Sequence, residues 1–420
     1  MVQASRRIVT QLRPRGRIRP SLTLLGPAFV ASVAYVDPGN FAVNFAAGAA
    51  RGYQLAWVVV VANLAAMGIQ YRAATLGLVT GQSLPELCRP GLGRRGARLM
   101  WLQAEAVAMA TDVAEFIGAA IGLNLLFGMP LPLGGLVTAA IAGGLLWLEQ
   151  RGYRRYELAI VALLALVGAG FVVLFFRVGG QHYGQLARGL TPTLTGAGTA
   201  SLAAGIVGAT VMPHAIYLHS ALHKNRVAAA SPAGRATVLA ANRWDCLLGL
   251  GAAGIVNLTM LCVAAARFRQ SSVAAASDFS LIHDRLTAVA GGGAALVFSA
   301  ALLASGLSSA TVGTQAGQVI MDGFTGRRLP LIWRRALTAA PSLVILALAV
   351  SPGQVLLYSQ VLLSFGIPFA LVPLLLLTRD PAVMGGQASG RVTTLALLLV
   401  TVLVTGLNVY LIGQLLAGLL

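Results

Sequence analysis

Long apolar stretches separated by short polar connections follow one another along nearly the whole chain. A helix needs about 20 apolar residues to cross the hydrocarbon core of a bilayer, and eleven stretches meet that requirement to within a few residues. The pattern predicts an all-α polytopic membrane protein without a soluble domain. The predicted spans are 22–49, 54–78, 98–127, 131–148, 158–177, 199–222, 245–267, 290–316, 331–350, 353–377 and 391–417.

Two of these spans are interrupted near their middle. Residues 37–40, Asp-Pro-Gly-Asn, break the first span, and residues 212–214, Met-Pro-His, break the sixth. Each break combines a proline, which removes a helical hydrogen bond, with polar or sulfur-containing side chains. Freed backbone groups at membrane depth are tolerated only where protein or a water-lined cavity supplies partners. Paired breaks in corresponding positions of two halves indicate the substrate site of a transporter.

Composition and charge exclude several classes of protein. With 57% apolar and 10% charged residues and a mean hydropathy of +0.80, the chain is not a soluble globule. The net charge of +18 lies mostly in alternate short connections, which is the positive-inside pattern; no hydrophilic stretch is long enough for a nucleic-acid-binding face. Three cysteines, Cys88, Cys246 and Cys262, have spacings that suit neither a disulfide framework nor a zinc site.

The charge pattern also predicts topology. The N-terminal tail, residues 1–20, is expected in the cytoplasm and the C-terminus outside the cell. The basic N-terminal segment resembles a signal peptide, but the apolar run after it continues past the first break and is a spanning segment. In the single transmembrane domain, 21–420, an odd number of spans makes spans 1–5 and 6–10 two inverted repeats, about 22–177 and 199–377, with an extra helix at about 391–417.

The residues at the two breaks have the chemistry of a metal site. Asp37 offers a carboxylate, Asn40 an amide oxygen and Met212 a thioether, and unwinding before the proline of span 6 should free the main-chain carbonyl of Ala209. A soft sulfur with oxygen ligands suits a divalent transition metal better than Mg²⁺ or Ca²⁺. The alternatives are an N-cap role for Asp37 and core packing for Met212. Gln360 in span 10 either faces the metal or makes an ordinary interhelical hydrogen bond.

A second group of polar residues predicts a route for protons. Asp112 and Glu115 lie on one face of span 3, Arg334 and Arg335 open span 9, and His214 stands beside the second break. Intramembrane carboxylates often form proton relays, and imidazole titrates near neutrality. The alternative is a set of buried ion pairs that only fixes helix packing.

Taken together, these motifs resemble the Nramp family of proton-coupled divalent metal transporters, in particular its bacterial MntH-like manganese transporters. The resemblance extends over about residues 20–417 and is most specific at the two breaks. Segments 26–41, 82–86, 111–116, 208–220, 333–335 and 359–361 match the family in order.

The resemblance implies the LeuT-type fold of 5+5 inverted repeats with an eleventh helix. It also implies metal binding by Asp37, Asn40, the Ala209 carbonyl and Met212, joined in some conformations by Gln360. Protons would move through Asp37, His214, Asp112 and Glu115 and past the arginines of span 9, Arg334 and Arg335. Because magnesium-transporting relatives lack the methionine, Met212 argues against that branch.

The expected function is proton-coupled import of Mn²⁺, Fe²⁺ or a similar ion across the plasma (inner) membrane by alternating access. The metal and H⁺ are the transported substrates, and no cofactor is expected. One alternative is a sodium-coupled symporter of an organic substrate, such as an amino acid, on the same fold. An intramembrane metalloenzyme would need a motif such as H-E-x-x-H, which the chain lacks, and a channel would need a pore-like repeat.

Overall fold

The computed structural model describes residues 26–196, 198–224, 232–269, 277–348 and 351–416. These ranges contain helices and short connections and no β-strand. The predicted cytoplasmic tail, 1–20, lies outside them. The α-helices are α1 Pro27–Val33, α2 Pro38–Arg51, α3 Ala56–Thr80, α4 Leu84–Phe127, α5 Leu131–Arg151, α6 Tyr153–Val178, α7 Tyr183–Gly189, α8 Thr199–Thr210, α9 Pro213–His223, α10 Pro232–Arg267, α11 Phe279–Ala290, α12 Gly292–Thr325, α13 Leu331–Ala347, α14 Pro352–Arg379, α15 Pro381–Met384 and α16 Arg391–Leu416.

Within the described part of the chain, nine continuous or nearly continuous helical segments are long and apolar enough to cross a membrane. The first predicted span is present as the two halves α1 and α2, and the ninth as the 17-residue α13. The main difference from the prediction is α4, which begins at Leu84 behind a Ser83–Glu86 capping box. The connection expected at 89–98 is therefore helical, and it kinks at Gly93, where φ is 62°.

Both predicted breaks are present, and proline explains where the chain resumes its helix. After α1, a short 3₁₀ turn leads to Asp37, whose extended backbone (φ −77°, ψ 168°) precedes Pro38 at the start of α2. In span 6, Met212 is extended (φ −76°, ψ 118°) and Pro213 starts α9. Proline suits the first helical position because its missing N–H would have no partner there.

The start of α1 is anchored by Asp245 of α10. The two carboxylate oxygens of this buried residue accept hydrogen bonds from the backbone N–H groups of Gly26 and Ala28, both at 2.9 Å. These groups lack helical partners because they stand at the start of a helix. Asp245 therefore fixes the entry of the chain into the first span.

Small residues bring the central helices close together. Gly306 of α12 lies against Ala119 of α4, where an added Cβ would stand 2.6 Å from the Ala119 nitrogen, and Gly122 of α4 lies against Leu303. Gly118 of α4 packs directly on the ring of Pro38. Such contacts are typical of helix packing in membranes. They place α4 and α12 beside the first break.

The three cysteines are buried and unpaired, as expected of packing residues.

Candidate functional site

Asp37 caps α2 and still keeps one carboxylate oxygen available. Its Oδ1 accepts hydrogen bonds from the backbone N–H of Asn40 at 2.8 Å and from Asn40 Nδ2 at 2.7 Å. The N-cap interpretation is therefore geometrically correct. Asp37 is 0% exposed, and its Oδ2 has no hydrogen-bond partner. A buried carboxylate oxygen without a partner is costly, so capping alone does not account for this residue.

The second break contributes a freed carbonyl. In a continuous helix the carbonyl of Ala209 would accept a hydrogen bond from residue 213, but Pro213 has no N–H to donate. Asn40 Nδ2 donates to the Ala209 carbonyl instead, at 3.0 Å. This contact joins the two breaks directly. The other amide atom, Asn40 Oδ1, is buried without a partner.

Gln360 of α14 lies beside the same break. Its amide occupies the space that a Cβ on Gly39 would need, so any larger residue at 39 would displace it. Its Nε2 donates to Ser359 Oγ at 3.1 Å, while its Oε1 is buried without a partner. Met212, at the N-cap of α9, is 0% exposed. All five residues predicted to bind metal thus lie at or against the breaks.

The chemistry of this set is that of a cation site. Asp37, Asn40 and Gln360 each keep one buried oxygen that no described residue satisfies. Buried polar atoms in native proteins are otherwise almost always hydrogen-bonded. Among the described residues there is no group of three or more His, Cys, Asp or Glu that could hold a metal. A cation here would therefore be bound through mixed carboxylate, amide, carbonyl and thioether atoms.

Two residues that the sequence did not mark as part of the site, Asn257 and Ser305, stabilise the first break. Asn257 Nδ2 donates to the Tyr35 carbonyl at 2.8 Å, and Ser305 Oγ donates to the Val36 carbonyl at 2.6 Å. They replace helical partners that the break removes. The sequence signal for Asn257 was a lone amide within span 7; Ser305 is one of several serines in span 8, and no pattern distinguishes it.

A buried polar chain leads away from the first break. Tyr35 Oη accepts a hydrogen bond from Gln70 Nε2 at 2.6 Å, and Gln70 Oε1 lies 2.9 Å from His219 Nδ1. His219 Nε2 in turn lies 3.2 Å from His223 Nε2. The two histidines share a helix face because they stand four residues apart in α9. They form a hydrogen-bonded network between α9, α3 and the first break.

His214 points toward span 3. It is completely buried, and its Nδ1 lies 3.4 Å from Thr111 Oγ1, next to Asp112 in the chain. Its Nε2 has no partner among the described residues. The second break is therefore in contact with the helix that carries the two predicted proton-route carboxylates.

Two carboxylates of α4, those of Asp112 and Glu115, face α12 at Gly313, where the lack of a side chain leaves space for them. A Cβ on Gly313 would stand 2.5 Å from Asp112 Oδ1 and 2.7 Å from Glu115 Oε2. One turn further along α12, the Arg334 guanidinium packs on Gly317, and Arg334 Nη2 lies 2.5 Å from Glu105 Oε1. Four charged groups thus lie along one face of α12, namely Asp112, Glu115, Glu105 and Arg334. The side chain of Arg335 lies outside the described part of the structure.

Comparison with known proteins assigns the family. The model for the Nramp family, described as natural resistance-associated macrophage protein-like, matches residues 28–414. A Deinococcus radiodurans protein named divalent metal cation transporter MntH is 46% identical over 405 residues, covering 96% of this chain and 92% of that protein. A Mycobacterium tuberculosis protein of the same name is 47% identical over 402 residues, covering 95% and 93%.

Comparison with solved structures supports the same family. A manganese transporter of Eremococcus coleocola matches with a TM-score of 0.86 and 31% identity, over 97% of this chain and 90% of that one. MhsT, solved with L-phenylalanine, matches with a TM-score of 0.60 at 15% identity, a similarity of fold alone. The predicted all-α, LeuT-type architecture is confirmed. The chain belongs to the Nramp family and is a multi-pass membrane transporter, not an enzyme.

Proposed function

We propose that this protein imports divalent transition metal ions, Mn²⁺ or Fe²⁺, into the cell together with protons. The observation that carries the proposal is the meeting of the two helix breaks, where Asp37, Asn40 and Gln360 each keep a buried oxygen without a partner. The names of the relatives support it, since they are called divalent metal cation transporters and a structural neighbour is a manganese transporter.

In this proposal the metal is bound by Asp37 Oδ2, Asn40 Oδ1, the Ala209 carbonyl, Met212 Sδ and, in some conformations, Gln360 Oε1. The Asn40 amide donates to Asp37 and to the Ala209 carbonyl, and the second of these contacts joins the two breaks. A thioether adds little for Mg²⁺ or Ca²⁺, which prefer oxygen ligands, and favours softer transition metals. The ligand set does not rank Mn²⁺ above Fe²⁺.

Transport would proceed by alternating access. The two repeats, about 22–177 and 199–377, would rock around the fixed site and open it first to the outside and then to the cytoplasm. The protein would lie in the plasma (inner) membrane with its N-terminus in the cytoplasm and its C-terminus outside. The basic connections then face the cytoplasm, in keeping with the positive-inside rule.

The proton route we propose follows α4 and α12. Pro38, next to Asp37, packs on Gly118 of α4, and Glu115 and Asp112 face Gly313 on the same side. The buried Glu105–Arg334 pair lies one turn further along α12. A proton arriving at Asp37 would pass through His214 toward Asp112 and Glu115, near Arg334 and Arg335. The membrane potential would act on each charge moved.

If Asp112 lies on the proton route and not on the metal route, protons and metal ions follow different routes through the protein. In proteoliposomes, Asp112→Asn is expected to reduce proton entry more than Mn²⁺ uptake, because α4 lies beside the breaks and supplies no metal ligand. Metal uptake and internal pH are measured together in the same vesicles. The control is Asp322→Asn, which removes a carboxylate that pairs with Arg328 at the end of α12. Equal losses of both fluxes would contradict separate routes.

The alternative of a sodium-coupled organic-substrate symporter shares the fold, as the likeness to MhsT illustrates. It gives no role to a thioether at the second break, nor to the buried oxygens of Asp37, Asn40 and Gln360 that have no hydrogen-bond partner. Uptake of radiolabelled Mn²⁺ and of a mixture of labelled amino acids by proteoliposomes tests the two functions. We expect saturable Mn²⁺ uptake that increases when the outside is acidified. Sodium-dependent amino-acid uptake without Mn²⁺ uptake would overturn the proposal.

A further inference from the structure

A cavity of about 260 Å³ lies at the end of α2 remote from the breaks. It is separate from the candidate metal site, because the two are at opposite ends of the 14-residue α2. Three arginines line it. The arginines are Arg51, Arg188 and Arg269, and Tyr53, Gln54 and Gln185 are among the other polar residues around the cavity.

Backbone packing brings the arginines together from distant parts of the chain. Arg51 is the last residue of α2, and Gly52 follows with φ 59°, a conformation that favours glycine. A Cβ at Gly52 would stand 4.0 Å from Arg269 Nε, so the segment after α10 lies against this turn. Gly189, next to Arg188, packs directly on the backbone of Tyr53.

The position of α7, which carries Arg188, is fixed by further contacts. Tyr53 Oη donates to Gln181 Oε1 at 2.9 Å and accepts from the His182 backbone N–H at 3.1 Å. These two residues lie directly before α7. The cavity is therefore built from three elements that are tied to one another, and its arginines do not come from a single mobile loop.

The charged side chains around this cavity are all positive. No carboxylate is among the described residues that line it, and Arg269 Nη1 donates to the neutral Gln185 Oε1 at 3.5 Å. Clustered guanidinium groups repel one another, and an anion between them would remove that repulsion. A positive surface would also repel an approaching divalent cation, so this cavity is not an entry funnel for metal.

We propose that the Arg51–Arg188–Arg269 cavity binds a small multivalent oxyanion, of the phosphate or polycarboxylate class. Guanidinium groups match the geometry of phosphate and carboxylate oxygens and bind them through paired hydrogen bonds. The anion would tie the end of α2 to α7 and to the segment after α10. Since α2 begins at Asp37 and Asn40, the bound anion would stabilise the half-helix that carries two of the candidate metal ligands. The inference stands independently of the proposed function.

Calorimetric titration of the purified, detergent-solubilised protein tests this site, with sodium phosphate and sodium citrate as probes and sodium chloride at equal ionic strength as the reference. Saturable binding of phosphate or citrate is expected. The double variant Arg188→Gln, Arg269→Gln should bind about tenfold more weakly or worse, because it loses two charged hydrogen-bond donors. The matched control is Arg177→Gln, an exposed arginine at the neighbouring end of α6, which should bind as the native protein does.

Two results would overturn the proposal: no binding of phosphate or citrate above the chloride reference, or binding that the Arg177→Gln control weakens as much as the double variant does. If the double variant does not fold, Arg188→Gln alone gives the same comparison, because Arg188 is exposed. Nanodiscs of phosphatidylcholine with and without phosphatidylglycerol test whether a lipid headgroup occupies the cavity instead of a soluble anion. If phosphatidylglycerol stabilises the protein against thermal unfolding and free phosphate does not compete with it, the proposal of a soluble anion is refuted.

Discussion

Replacing Asp37 by Asn is expected to abolish Mn²⁺ uptake while leaving the protein folded. Asparagine keeps an oxygen that can accept the N–H of Asn40, so the cap of α2 is retained. It removes the negative charge opposite a dehydrated divalent cation. Loss of one partner from a buried charge pair costs about 3 kcal/mol or more, which corresponds to a reduction in metal binding of roughly a hundredfold.

The measurement is initial Mn²⁺ uptake by proteoliposomes, with calorimetric Mn²⁺ binding as a second readout. Asp284→Asn is the matched control, because the Asp284 side chain is 78% exposed on α11 and lies away from the breaks. Native-like elution and thermal unfolding of Asp37→Asn would show that the fold is intact. Binding of Mn²⁺ with native affinity by a folded Asp37→Asn protein would remove this residue from the metal site.

Replacing Met212 by Ala is expected to change the selectivity among divalent ions more than the rate of Mn²⁺ uptake. The oxygen ligands of Asp37, Asn40, Ala209 and Gln360 remain, so Mn²⁺ should still be transported. Without the sulfur the site offers only hard ligands, and Ca²⁺ and Mg²⁺ become competent competitors. A loss of about 1.4 kcal/mol of discrimination is a tenfold change in the ratio of affinities. Excess Ca²⁺ should therefore inhibit Mn²⁺ uptake about tenfold more effectively in the variant.

The experiment compares inhibition curves for Ca²⁺ and Mg²⁺ against a fixed Mn²⁺ concentration. Met384→Ala is the control for removal of a buried methionine, because Met384 is 1% exposed in α15 and is not at the breaks. Unchanged selectivity in Met212→Ala would return Met212 to the role of a packing residue, which is the ordinary role of buried methionine.

Most of the fold was predictable because the bilayer imposes strong rules on the sequence. Apolar length located the spans, and proline located both breaks, since a residue without an N–H starts a new helix wherever it interrupts one. The exact extent of helices was less predictable. α4 continues through the basic connection at 89–98, because helix propensity and capping act outside the membrane without leaving a hydrophobic pattern.

The candidate site was predictable to the extent that its residues break a pattern. Asp37, Asn40 and Met212 stand where apolar helix is expected, and the missing N–H of Pro213 pointed to the Ala209 carbonyl. Ser305 and Thr111 were not predictable, because hydroxyl side chains often bond to their own helix and their partners depend on which helix lies opposite. Gln360 was left between two interpretations for the same reason.

The amino-acid sequence was enough to establish the class of protein, the order of its spans, the position of both breaks and the kinds of ligand atom available there, because these depend on local chemistry and on the thickness of a bilayer. Which of these atoms meet became clear from the folded structure. The Asn40 amide reaches Ala209 across 169 positions of the chain, and three arginines converge on one cavity from separate segments. Contacts of this range arise from the packing of small residues between helices, and nothing in a single sequence specifies that register.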